Sequence, residues 1–120
     1  MSNMNAEGTV MDLKKLQKLI ENPKRIFTLS TADEQGIPNT AIFGSVQLKE
    51  DEIIIGMGNN RSLNNLQQNP RATLMMIIPG ANLLAFQGIR LYLELKTIER
   101  SGPLLDDIRA EAGIHAGRAA

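Results

Sequence analysis

Residues 53–77 read IIIGMGNNRSLNNLQQNPRATLMMI, and the rest of the chain is best read outward from this block. An apolar run ends at Gly56, a polar stretch follows through Asn60, Arg61 and Ser62, and Leu63 and Leu66 stand three apart as the narrow seam of a short helix. Asn69-Pro70 closes that helix ahead of a second apolar run. A helix that opens at Asn60 leaves its first backbone N–H groups unpaired and carries partial positive charge. It therefore stabilises a phosphate with donors and dipole together. Arg61 would add a charged fork and Ser62 a hydroxyl. Taken alone, the same residues also describe an ordinary surface helix, capped by Asn60 or Ser62 with Arg61 solvated.

On the N-terminal side, Arg25 to Thr31 (RIFTLST) is rich in β-branched and apolar residues, and Asp33 to Gly36 (DEQG) supplies a turn with a glycine free to take positive φ. The pattern predicts a hairpin into a second strand over Asn39 to Leu48, a polar turn at Lys49, Glu50 and Asp51, and a third strand from Glu52 to Met57. On the C-terminal side, the nearly continuous apolar run Ala72 to Ile78 predicts a strand buried on both faces. Pro79, Gly80 and Asn82 break the chain. Within Leu83 to Ile98, Ile89, Leu91, Leu93 and Leu95 then alternate with Arg90, Tyr92, Glu94 and Lys96, as a strand with one buried face does. Met11, Leu13, Leu16, Leu19 and Ile20 have helical spacing and end before Pro23, residues 1–9 read as loose, and Ser101-Gly102-Pro103 introduces a last helix with Leu104, Leu105 and Ile108.

These elements sum to one domain over residues 1–120: about five strands in antiparallel meander order, with helices at the beginning, between strands three and four, and at the end. Closing such a sheet into a barrel removes its exposed edges. A chain of 120 residues with strands this apolar is also expected to bury surface against a second copy.

Thirteen basic residues balance thirteen acidic ones, and one Tyr, three Phe and no Trp leave little to stack on bases, so nucleic-acid binding is disfavoured. The absence of cysteine excludes disulfides, thiolate metal sites and cysteine nucleophiles. The N-terminus MSNMNAEGTV has no basic region followed by an apolar run, and no stretch is as long as a membrane span, which makes the cytoplasm the default location.

The hairpin STADEQGIPNTAIFGSV (Ser30 to Val46) and the 53–77 block together resemble the FMN-binding split-barrel proteins. These form the pyridoxamine 5'-phosphate oxidase-like group, which includes small bacterial FMN-binding proteins. The resemblance spans about residues 10 to 113. It implies a mainly β fold with flanking helices, an antiparallel split β-barrel, in a homodimer that holds one FMN per subunit at the interface. By position, Arg61 and Ser62 match the group's phosphate-binding pair, beside Asn60 at the helix opening. The strand passing the flavin ring corresponds to Ile55, Gly56 and Met57, and the opposing hairpin strand to Ile42, Phe43, Gly44 and Ser45 along the ring edge and ribityl chain. The implied chemistry is flavin-dependent oxidoreduction or electron transfer with an unnamed partner. The other implied roles are a non-catalytic flavin carrier, store or interaction domain, or a binder of deazaflavin F420 or haem, since one fold hosts several ligands.

The chain also departs from the group. The vitamin B6 oxidases carry further Arg, Lys and His residues for substrate, and Val46 stands about where they have a cofactor-contacting lysine, so their specific activity is not expected here. Members usually finish with one more strand, whereas this sequence stops at Gly117-Arg118-Ala119-Ala120. Asp106, Asp107 and Glu111 read as a solvated helix face and His115, the sole histidine, as a surface residue without an acidic partner. Met75 and Met76 read as core or dimer filling, and Gln87 as a strand residue that could reach a partner's flavin. No residue is assigned a catalytic or metal-binding role.

Overall fold

The computed structural model of the chain describes residues 2–6 and 12–99. In chain order the elements are β1 (Ser2–Ala6), α1 (Leu13–Glu21), β2 (Ile26–Ala32), β3 (Pro38–Phe43), β4 (Val46–Lys49), β5 (Glu52–Ile55), α2 (Arg61–Gln68), β6 (Arg71–Ile78), a single 3₁₀ turn (Leu83–Ala85) and β7 (Gln87–Ile98). The strands form one antiparallel sheet in the order β3-β2-β6-β7-β1-β5-β4.

That order has a geometric consequence. β3 and β4 occupy opposite edges of the sheet, yet Phe43 ends one and Val46 begins the other, with Gly44 and Ser45 between them. Seven strands laid flat would hold the edges about 29 Å apart at the usual inter-strand spacing. Three Cα steps reach about 11 Å. The sheet must therefore roll until its edges approach at Gly44-Ser45, although no ladder pairs β3 with β4 among the described strands.

Several sequence expectations change. The single strand expected over Asn39 to Leu48 is two, because the chain leaves its partner β2 at Phe43 and takes up β5 from Val46. The third strand stops at Ile55 rather than Met57. Residues 1–9 were expected to be loose, but Ser2–Ala6 forms a strand inserted between β5 and β7. Its sequence SNMNA carries no strand signal because backbone groups make the ladder, and what places it there is the pair of flanking edges that would otherwise lack partners. β6 is buried on one face only: Ala72, Leu74 and Met76 are buried, and Thr73, Met75 and Ile77 half-buried. The segment from Leu83 opens with the 3₁₀ turn, and its strand begins at Gln87. The helix expected after Ser101, with Asp106, Asp107, Glu111 and His115, lies outside the described residues.

The inner face of the sheet carries Phe27 and Leu29 from β2, Leu74 and Met76 from β6, and Leu91 and Leu93 from β7, all buried. Ile53 and Ile55 of β5, Leu16 and Ile20 of α1 and Leu66 of α2 join the same core. The turn after β2 forms as its residues dictate. Gly36 takes φ +83°, and the Asp33 carboxylate accepts from the amides of Gln35 and Ile37, each at 2.9 Å. Lys96 of β7 is ion-paired with Glu52 of β5 on the far side of β1, and that neighbouring carboxylate raises the lysine's pKa above its ordinary value.

Leu74 is fully buried among these groups, so Leu74→Ala is expected to cost about 2–5 kcal/mol in urea denaturation.

Candidate functional site

Two of the segments singled out by the sequence meet at the corner where the β3–β4 link enters the β4–β5 hairpin. The Gly56 amide donates to the Ser45 carbonyl at 3.0 Å, which joins the chain leaving β5 to the link between β3 and β4. Four residues past Gly56, Asn60 caps α2: its backbone is extended and its side-chain oxygen accepts from the Leu63 amide at 3.0 Å. The Asn60 carbonyl takes the Asn64 amide at 3.1 Å. The amides of Arg61 and Ser62 then remain without an acceptor among the described residues, as expected for the first turn of a helix.

Three polar contacts fix where that opening points. Asn65 is buried on the inner side of α2 and donates to the Thr31 hydroxyl of β2 at 3.1 Å. The Ser62 hydroxyl, also buried, accepts from the Asn39 amide of β3 at 3.4 Å. At the other end of α2, Gln68 accepts from the Glu34 amide of the β2–β3 turn at 3.1 Å. Asn39, Thr31 and Asn65 were not singled out from sequence. The signal available for them was the buried helical face itself, since Ser62 and Asn65 have the same spacing as Leu63 and Leu66.

Each candidate residue can now be placed. Arg61 is exposed at the first position of α2. Ser62 is turned inward against Asn39 rather than displayed beside the guanidinium. Ile42 is 76% exposed whereas its neighbour Phe43 is buried in the core, because successive strand residues face opposite sides. Ile55 has no exposed surface, and Met57 packs against the core. At Phe43 and Ile55 the side chains are committed to packing, so a ligand would meet backbone there. Ser45 differs: its Oγ is shut away from solvent and has no hydrogen-bond partner among the described residues. A buried hydroxyl without a partner is costly, which marks the corner as a place where a ligand group would complete the bonding.

Arg61 is the one charged side chain among these residues, so the arrangement suits binding an anionic group more than proton transfer. Among the described residues no group of three or more His, Cys, Asp or Glu could hold a metal ion. No described helix is long and apolar enough to cross a membrane.

Comparison with known proteins places the geometry in context. No curated protein matches the chain. Among solved structures, an FMN-binding protein from Syntrophomonas wolfei subsp. wolfei superposes with a TM-score of 0.72 at 28% identity, covering 82% of this chain and 67% of the other. The heme storage protein HutZ from Vibrio cholerae superposes with a TM-score of 0.65 at 25% identity, covering 88% and 76%. The family model described as pyridoxamine 5'-phosphate oxidase matches residues 13–118. With that match running over most of its length, and with an antiparallel sheet and two helices that superpose on an FMN-binding protein, the chain belongs to the pyridoxamine 5'-phosphate oxidase family.

Proposed function

We propose that the protein is an FMN-binding flavoprotein of the split-barrel type, with one FMN per subunit at the interface of a homodimer. The observation that carries this reading is the opening of α2: a capped helix start with two unpaired amides and an exposed Arg61, held against β3 and β2 by Asn39 and Thr31. The FMN phosphate would rest on the amides of Arg61 and Ser62 and on the Arg61 guanidinium. Along Gly44-Ser45 and Ile55-Gly56-Met57, the ligand would meet mainly backbone donors and acceptors, with the Ser45 hydroxyl gaining the partner it lacks. Bound FMN supplies hydride or electron transfer, and the chain's own residues bind, orient and tune it.

Oxidation of pyridoxamine phosphate itself is not part of the proposal. Val46, at the position where those oxidases place a cofactor-contacting lysine, is buried in the core. The physiological redox partner is left open in this reading, and a flavin carrier or store shares its binding site. Haem is the second reading, favoured by the likeness to a heme storage protein.

The homodimer is supported by the outer face of the sheet. Cross-strand rows there run Ile42, Thr28, Met75, Arg90 and Thr40, Ser30, Thr73, Tyr92. Ile42, Tyr92 and Ile26 are exposed on that face. Leu83 and Leu84, 84% and 98% exposed, project from the turn joining β6 to β7. That turn is tightly packed, since a Cβ at Gly80 would come within 2.5 Å of Ala85 backbone and side-chain atoms. Exposed Ile, Tyr and Leu side chains set among Ser, Thr and Arg in this way suit an association surface of mixed character.

The absorption spectrum of purified protein after FMN addition and desalting is expected to retain flavin bands. A Soret band on haem addition with no flavin retention would favour the second reading instead. Arg61→Ala is expected to weaken FMN affinity more than about tenfold, from loss of a charge-assisted bond worth roughly 1.5–3 kcal/mol, while leaving the thermal unfolding of the flavin-free protein unchanged. Light scattering should give twice the chain mass, and Ile42→Lys should shift it toward one chain, because it puts a charge on the most exposed apolar side chain of that face.

A further inference from the structure

On the other side of the sheet corner, α1, the residues entering β2 and the start of β4 enclose an open pocket of about 330 Å³. Its floor is apolar, formed by Ile20, Val46 and Leu48, and its walls carry Arg25, Glu21 and Gln17. We propose that this pocket binds a small zwitterion with an aliphatic body, of the amino-acid type: carboxylate on Arg25, ammonium on Glu21, and hydrocarbon on the floor. The inference does not rest on flavin binding.

The case begins with Arg25. Its guanidinium is held in place, with Nη1 donating to the Asn22 carbonyl at 3.3 Å and the cation 5.5 Å above the Phe27 ring. Its Nε–H is nevertheless shut away from solvent with no acceptor among the described residues. The outer nitrogen Nη2 is not shut away and makes no hydrogen bond among the described residues, so it is the donor that a bound carboxylate would meet. An anion alone would fit poorly, because Glu21 lines the same pocket. The two opposite charges share the pocket without forming an ion pair with each other. One Glu21 oxygen takes the Gln17 amide at 2.7 Å, which orients the carboxylate and leaves its second oxygen for a donor. A cation and an anion set apart around an apolar floor complement a molecule that carries both charges and a hydrocarbon chain. Two charge-assisted contacts and burial of the aliphatic body act together, as they do in built ligand sites.

The test is calorimetric titration of the full-length protein with L-leucine, with isocaproate, which lacks the ammonium, and with isopentylamine, which lacks the carboxylate. Leucine is expected to bind about tenfold tighter than isopentylamine and about threefold tighter than isocaproate; Arg25→Gln is expected to weaken it about tenfold, the loss typical of one charge-assisted bond, and Glu21→Gln, at an exposed carboxylate, about threefold. Glu21 is exposed at the end of α1, so its variant keeps the test intact even where Arg25→Gln fails to fold. Absence of leucine binding near its solubility limit would overturn the proposal, and so would isocaproate binding as tightly as leucine or leucine binding unaffected by Glu21→Gln.

Discussion

Everything in this fold depends on a two-residue link. Gly44 and Ser45 join strands that stand at opposite edges of a seven-stranded sheet, and a link that short is incompatible with a flat sheet. The rolling that follows gathers the inner faces of β2, β6, β7 and β5 around one core. The β4–β5 hairpin, in turn, sets the chain after β5 against the link, where the Gly56 amide meets the Ser45 carbonyl as the next rung of that ladder. The candidate site combines that hairpin with the opening of α2, which contacts with β2 and β3 hold in place.

The second determinant is polar. α2 is a short helix whose hydrophobic seam alone would leave its orientation loosely specified. The buried pairs Asn65 to Thr31 and Asn39 to Ser62 require particular donors to meet particular acceptors, so they select one placement of the helix on β2 and β3. That placement holds the helix opening, with its unpaired amides, beside the start of β3. The site thus consists of backbone donors, one guanidinium and one hydroxyl lacking a partner, a composition suited to holding and orienting a phosphate-bearing cofactor rather than to acid–base chemistry.

Much of this was legible in the sequence where local physics governs. The helix over Arg61–Gln68, its cap at Asn60, the glycine turn at Gly36 and the alternation along β7 follow from residue types that act on their immediate neighbours. The elements misread were those governed by distant partners. Ser2–Ala6 is a strand because β5 and β7 flank a gap, and the strand expected over Asn39 to Leu48 is divided because its two halves have different neighbours. β6 reads as buried throughout because its composition is apolar on both sides, while in the single chain only one face meets the core.

By itself the sequence determined most of the element types and the helix opening with its cation, because periodicity, caps and turn residues act over a few positions, and its motifs carried the resemblance to the family. The tertiary structure alone decided that the two-residue link joins strands at opposite edges of the sheet and that Ser62 faces Asn39 rather than solvent. It also decided that Ser45 Oγ and Arg25 Nε are buried without partners, and that Arg25 and Glu21 face one pocket. These are facts of long-range placement. They arise when strands far apart in the chain share one curled sheet, and no local pattern encodes them.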